Sequence, residues 1–148
     1  MYRHILVPTD GSKLSGKAIR SAARLAKDVG AKLSGVYVIP PYTPPVYGEA
    51  AMYVPDASPA AYRKVMEREA KKALAAVEVE AQAAGVPFKT VTVTAEHPWM
   101  GIIRAATAKK CDLIVMASHG RRGLAGLLLG SETTKVLTHS KTPVLVCR

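Results

Sequence analysis

The chain has 148 residues, a formal net charge of +10, four histidines and two cysteines. That length suits one domain, residues 1–148, with room for a real core, and no apolar run approaches the roughly 18 residues that cross a bilayer. Two cysteines are too few for a disulfide scaffold, and their spacing suggests no metal site.

The opening segment, Tyr2 to Pro8, is apolar after its first residues and reads as a strand. It lacks the long apolar core and small-residue cleavage site of a secretory leader, so a cytoplasmic protein is expected. Thr9-Asp10-Gly11-Ser12 is turn chemistry and leads into a helix capped at Ser12 or Ser15. Ala18, Ala22, Leu25, Ala26 and Val29 recur at helical spacing, and Gly30 is placed to end that helix. A second strand is expected over 32–39. Strand, helix and strand within some forty residues form a right-handed parallel crossover.

Between residues 40 and 59 the periodicity stops. This Pro-rich insertion holds six of the ten prolines, and loops of such length are usually functional or disordered; it reads either as a lid or as an insertion that touches nothing. A long helix follows over 60–84, with Tyr62, Met66, Ala73, Val77, Ala81 and Ala84 on one stripe. The β-branched stretch 88–94 is a third strand. Pro98 suits the first turn of a further helix that turns Trp99, Ile102, Ile103 and Ala106 inward. Leu113-Ile114-Val115-Met116 is too short for a helix and has the continuous apolar character of a strand buried on both faces. A short helix over 131–139 and a last strand over 143–147 complete the chain. If the last two strands are parallel, Cys111 and Cys147 lie at opposite ends of the sheet, roughly 15 Å or more apart, beyond the reach of a disulfide. Five strands alternating with four helices describe an α/β fold: an open five-stranded parallel sheet, doubly wound, with helices on both faces.

In such sheets ligands sit beyond the C-terminal strand ends, where strand order reverses. Two polar, Gly-bearing loops stand at such ends: Pro8 to Ser12, and Ala117 to Ser131. The second runs from a strand through Gly120 to a helix N-terminus at Gly130-Ser131, the parts of an anion cradle. If the two strands are neighbours, the loops frame one site. Asp10 would then face a ribose or a metal ion, and the backbone of Gly120, Gly130 and Ser131 would face phosphates. The lysines and arginines are spread over helices, with no aromatic interleaving. That reads as solvated helix faces and argues against a nucleic-acid partner.

These same stretches carry a family resemblance. The opening HILVPTDGS (4–12), the strand VYVI (36–39), DLIVMASHG (112–120), LLLGS (127–131) and KTPVLVCR (141–148) resemble the universal stress protein family in its single-domain form. The ATP-binding branch of that family carries Gly-x2-Gly-x9-Gly-[Ser/Thr]. Gly120, nine residues, Gly130 and Ser131 fit its second part, whereas Ala117 stands where the first Gly would be. The resemblance implies a Rossmann-like, adenine-nucleotide hydrolase-like fold and a stress-response protein that binds ATP, with Mg²⁺ carried at Asp10 or on the nucleotide and with AMP or ADP as alternatives. Position by position it implies Pro8, Thr9 and Asp10 at base and sugar, the Val38 backbone at the adenine edge, and Gly120, Gly130 and Ser131 around the phosphates, with Ala117 and Glu132 also among the nucleotide-binding residues. His119, Arg121 and Arg122 lie beside that cradle, one arginine being expected on phosphate; His119 also reads as a loop histidine bonded to backbone. It further implies a homodimer through the last strand, at Val144, Leu145 and Val146.

No GxxxxGK[ST] or GxGxxG pattern is present, and no Ser-His-Asp arrangement can be placed at one site. With no evident general base near a γ-phosphate, any hydrolysis should be slow and the protein is not expected to be an enzyme. The competing reading is a dimeric interaction protein of the stress response that binds no nucleotide, Ala117 being its supporting feature.

Overall fold

In the computed structural model, which describes residues 1–44, 57–121 and 129–148, five parallel strands form one sheet in the order β3-β2-β1-β4-β5. The strands are β1 (His4–Pro8), β2 (Lys32–Ile39), β3 (Phe88–Thr94), β4 (Leu113–Ala117) and β5 (Val144–Cys147). The helices are α1 (Lys13–Val29), α2 (Pro59–Ala84), α3 (Pro98–Ala108) and α4 (Ser131–His139). The chain builds outward from β1 to β3, then returns to the other side of β1 with β4. Strand order therefore reverses between β1 and β4, in register Ile5↔Leu113 and Leu6↔Ile114.

Alternation along the central strands explains why their sequences are apolar throughout. Ile5 and Val7 of β1, with Leu113 and Val115 of β4, pack into a core with Ile19, Ala22, Ala26, Val77 and Ala81 of α1 and α2. Leu6, Ile114 and Met116 point the other way, against Ile102, Ala105 and Ala106 of α3 and Val136 of α4. Each face of the sheet is covered, so neither set of alternating positions can be polar. Helix α2 closes tightly on β2: a Cβ at Gly35 would stand 3.0 Å from the γ carbons of Val77. Ser12, not Ser15, caps α1 by accepting the Ser15 N–H, and Gly30 ends that helix at φ 69°.

The expected stripe on the long helix is corrected at its start. Ala70, Ala73, Leu74, Val77 and Ala81 are its buried residues, while Tyr62 and Met66 are only half-buried. Tyr62 instead serves the base of the Pro-rich segment. Its hydroxyl donates to the Pro40 carbonyl at 2.6 Å, and its ring packs on Tyr42, whose own hydroxyl donates to Ala57. The lid reading concerns residues 40–59, of which 45–56 lie outside the described residues. On α3, Ile102 is buried whereas Ile103 is half-exposed, Ala105 completing the inner face. Lys13, Lys17, Arg20, Arg24 and Lys27 are all exposed along α1, on one stripe by their spacing. No helix among the described residues is long and apolar enough to cross a membrane. Both cysteines are free, and burial pushes the Cys111 thiol up to about 11.

The start of β1 is tied down by side chains. Asp112 accepts the N–H groups of Arg3 and His4 at 2.8 and 3.0 Å, and the buried His4 ring meets Ser34 Oγ at 2.8 Å. Burial, then the nearby Lys32 charge, hold the His4 pKa below its ordinary value. The unfolded chain therefore binds the proton more tightly than the folded one, and stability falls with pH from about 6.5 down through the folded value. The urea midpoint is expected to decline between pH 7 and pH 5.5, and His4→Gln should flatten that decline; an unchanged slope in the variant would remove His4 as its cause.

Candidate functional site

The loops after β1 and β4 leave the sheet side by side, and one carboxylate joins them. Asp10 Oδ1 accepts the Ser12 N–H at 2.9 Å, closing its own turn, while Oδ2 accepts the Arg121 N–H at 2.8 Å across 111 residues. Burial alone would raise the pKa of this carboxyl. Hydrogen bonds from Ser12, from the Arg121 backbone and from Ser15 outweigh it and hold the pKa below the ordinary carboxylate value. Gly120 lies directly against this carboxylate: a Cβ there would stand 2.5 Å from Asp10 Oδ2. A glycine is required at 120 by this close approach.

Beside the joint is a cleft of about 180 Å³. Pro8, Thr9 and Asp10 form one wall, and Met116, Ala117, His119 and Gly120 form the floor and far side. Val36, Tyr37 and Val38 of β2, Pro98 and Ile102 of α3, and Glu132 and Thr133 of α4 complete it. The position of Val38 follows from strand geometry. Lys32 donates to Arg3 and Thr9 donates to Val36, so the even-numbered backbone groups of β2 face β1. Strand β1 ends at Pro8, so the N–H and C=O of Val38 face the space just past it, at the edge of the cleft. The side chain of Val38 packs on α3, where a Cβ at Gly101 would come within 2.7 Å of its γ carbons.

Ala117 closes β4 in pairing with Cys147, and its carbonyl accepts from the buried Thr133 hydroxyl at 3.0 Å. Its φ is not positive; Lys110 is the sole non-glycine residue of positive φ among the described residues. The alanine therefore brings no backbone strain, and only its methyl bears on the cleft. Thr9 is buried and turned to the loop itself, its hydroxyl meeting Ser15 Oγ and accepting the Gly11 N–H. His119 lines the cleft with Nδ1 3.1 Å from Ser118 Oγ, a side-chain partner in place of the expected backbone one.

Three expected roles change. The N–H of Gly130 donates to the Ser118 carbonyl at 2.7 Å, so it fastens the loop and does not face a phosphate. Gly130 is needed because a Cβ would stand 2.9 Å from that of His119. The amides left for an anion are those of Ser131, Glu132 and Thr133, which as the first turn of α4 have no intrahelical partner. The Arg121 side chain turns away from the cleft: its guanidinium lies over Gly11 and 3.8 Å from Glu69 of α2, lining a second cavity of about 100 Å³. Glu132 caps a helix: its Oε2 accepts the Trp99 N–H at 2.9 Å, at the start of α3, where His97 supplies no side-chain cap. Arg122 lies outside the described residues. Among these, no group of three His, Cys, Asp or Glu residues could hold a metal ion, and both Asp10 oxygens already accept amides. The residues present therefore build no metal site of their own around Asp10.

Sequence reasoning missed Pro98, Ile102, Met116, Thr133, Ser15, Val36 and Tyr37 as cleft residues. The first four lie on helices and a strand whose apolar pattern signals only burial. The polar Thr133, two residues into α4, was the one available signal. Val144, Leu145 and Val146 lie on β5, at the edge of the sheet beside β4, and do not line the cleft.

Residues 1–148 match the family model described as the universal stress protein family. The universal stress protein YxiE of Bacillus subtilis is 34% identical over 151 aligned positions, which cover 100% of both chains. The structure of the universal stress protein UspA from Lactobacillus plantarum matches with a TM-score of 0.77 at 25% identity, over 99% of this chain and 98% of that one. A universal stress protein solved in complex with cAMP matches with a TM-score of 0.72 at 27% identity, over 99% and 97%.

The joint makes a two-residue prediction. Asp10→Ala should cost about 1–3 kcal/mol, since two amides lose their acceptor. Gly120→Ala should be destabilising in the wild-type background and nearly neutral in Asp10→Ala, because its clash is with the Asp10 carboxylate. Urea midpoints of the double-mutant cycle check this; strictly additive costs would contradict the contact.

Proposed function

The chain belongs to the universal stress protein family, and from that premise we propose that it is a single-domain cytoplasmic regulatory protein that binds an adenine nucleotide in the cleft between the β1 and β4 loops. One observation carries the proposal. The cleft joins an apolar slot, formed by Val38, Ile102, Met116 and Ala117, to the N-terminus of α4. A flat base fits the slot, the Val38 backbone faces its edge, and the amides of Ser131, Glu132 and Thr133 receive an anion. The cAMP complex of a 27% identical structure supports the same ligand class. ATP, ADP and AMP are the candidates. Mg²⁺ would enter on the phosphates, since the described residues offer it no ligand set.

Binding, not turnover, is the function that fits Asp10. Its pKa lies below the ordinary carboxylate value and both oxygens hold amides, which makes it a weak base for activating water. A nucleotide that rests against Asp10 and Ser131 would touch both loops of the joined pair, so that its occupancy is a state a partner can read.

The open edge of the sheet favours a second role beside the first. Pro143 and Cys147 accept N–H groups from β4, so the backbone groups of Val144 and Val146 face outward from the sheet, and Leu145 is 44% exposed. Such an edge invites a second copy to pair. The homodimer through Val144, Leu145 and Val146 belongs to this proposal.

Two measurements test these roles. A nucleotide at 100 times its dissociation constant should add about 2.7 kcal/mol, raising the melting temperature by about 5–10 °C, and Gly130→Asp should abolish the shift; no shift with millimolar ATP, ADP, AMP or cAMP would reject the site. Val144→Pro or Val146→Pro removes an outward N–H without touching the inner ladder. Each should yield monomers by light scattering, and a persisting dimer would place the interface elsewhere.

A further inference from the structure

We infer that the cleft is built for a single phosphate: it selects an adenine mononucleotide, linear or cyclic, over the triphosphate, and Glu132 is the residue that sets this selectivity. The inference rests on the nucleotide-binding reading and specifies the ligand within it.

Two helix N-termini converge on the cleft, that of α3 at Pro98 and that of α4 at Ser131. Each is an anion site by virtue of its unpaired amides and its dipole. The one on α3 is already filled by the protein's own anion. Glu132 reaches across from the first turn of α4, and its Oε2 takes the Trp99 N–H at 2.9 Å. Of the two helix N-termini, that of α4 remains for a ligand, and one of the loop amides that might have extended that cradle, Gly130, is held by Ser118.

The charges around the cleft act in the same direction. Its lining includes two carboxylates, Asp10 and Glu132, and no lysine or arginine among the described residues. Asp10 is held ionised by the hydrogen bonds it accepts. Arg121, next to Gly120 in the loop after β4, points over Gly11 toward Glu69. Lys135 lies 3.6 Å from Glu132 Oε1 on the exposed side of α4, where it offsets Glu132 only in part. One phosphate on the α4 amides meets favourable dipoles. A second and third, extending from it, enter the field of Glu132 and Asp10, where the lining among the described residues has no lysine or arginine. A divalent cation carried on the phosphates would narrow the difference.

Isothermal titration of the intact protein with AMP, cAMP and ATP, each with EDTA and then with Mg²⁺, tests this directly. AMP or cAMP should bind at least tenfold more tightly than ATP in EDTA, and Mg²⁺ should shrink that ratio. Glu132→Gln keeps an oxygen for the Trp99 N–H while removing the charge. It should raise ATP affinity at least fivefold, shrink the ratio of AMP to ATP affinity at least threefold, and melt within a few degrees of the wild type. Glu132→Ala, which also uncaps α3, separates the charge from the cap: equal ATP gains in the two variants assign the selectivity to charge. If ATP binds as tightly as AMP in EDTA, or if Glu132→Gln leaves the ratio unchanged, the selectivity inference is wrong while the nucleotide site stands. If none of the nucleotides binds, the site itself is wrong and this inference falls with it.

Discussion

The contact on which the functional end of this molecule depends is the hydrogen bond from the Arg121 amide to the Asp10 carboxylate. Because β1 and β4 are parallel neighbours at the reversal of strand order, their following loops emerge on the same side with unpaired amides facing each other. Aspartate has the reach to close its own turn on Ser12 and still present a second oxygen across the gap. An asparagine would offer one acceptor where two are used, and a glutamate would place its oxygens a bond farther out. The carboxylate also dictates its neighbour, since only a residue without a Cβ can pass within contact of Oδ2 at position 120. The Asp10 and Gly120 positions thus form one structural unit, although they are far apart in sequence and belong to different crossovers.

This explains how much of the fold and site the sequence discloses. The strands are legible because both faces of the sheet are covered, which forces runs such as Leu113 to Met116, and the helix stops are legible because Gly30 and Gly85 adopt left-handed φ. The two site loops are legible because polar, Gly-bearing residues interrupt those runs at C-terminal strand ends. What is not legible is direction. Nothing local to Arg121 says that its side chain crosses Gly11 to meet Glu69, and nothing local to Gly130 says that its amide is spent on Ser118. Both facts depend on where α2 and the end of β4 lie in space. Tyr62 and Met66 fit the helical stripe equally well, but the start of α2 meets the base of the Pro-rich segment instead of the core.

Ala117 shows how a departure from a family pattern is resolved by geometry. A glycine is indispensable where φ is positive or where a Cβ meets a rigid atom. Position 117 is the end of a strand, with ordinary backbone and a carbonyl engaged by Thr133. The methyl therefore adds apolar surface to the cleft floor next to Met116, where a base would lie, and leaves the backbone path to Gly120 unaltered. In the loop after β4 the close approaches fall at Gly120 and Gly130, where a Cβ would stand within 3 Å of Asp10 and His119.

The overall charge and the local charge of the protein act at different ranges. The net +10, much of it exposed along α1, attracts any anionic solute over about one Debye length, roughly 8–10 Å, and speeds encounter without distinguishing how a nucleotide will sit. Within the cleft the described lining carries two carboxylates, Asp10 and Glu132, and no lysine or arginine, at distances where salt screens little. On the proposed reading, a basic protein would hold a nucleotide site that resists excess phosphate. Each of these carboxylates is retained for its own structural reason, Asp10 to join two loops and Glu132 to cap α3. Selectivity of the proposed kind would then be a by-product of how the fold satisfies its own backbone.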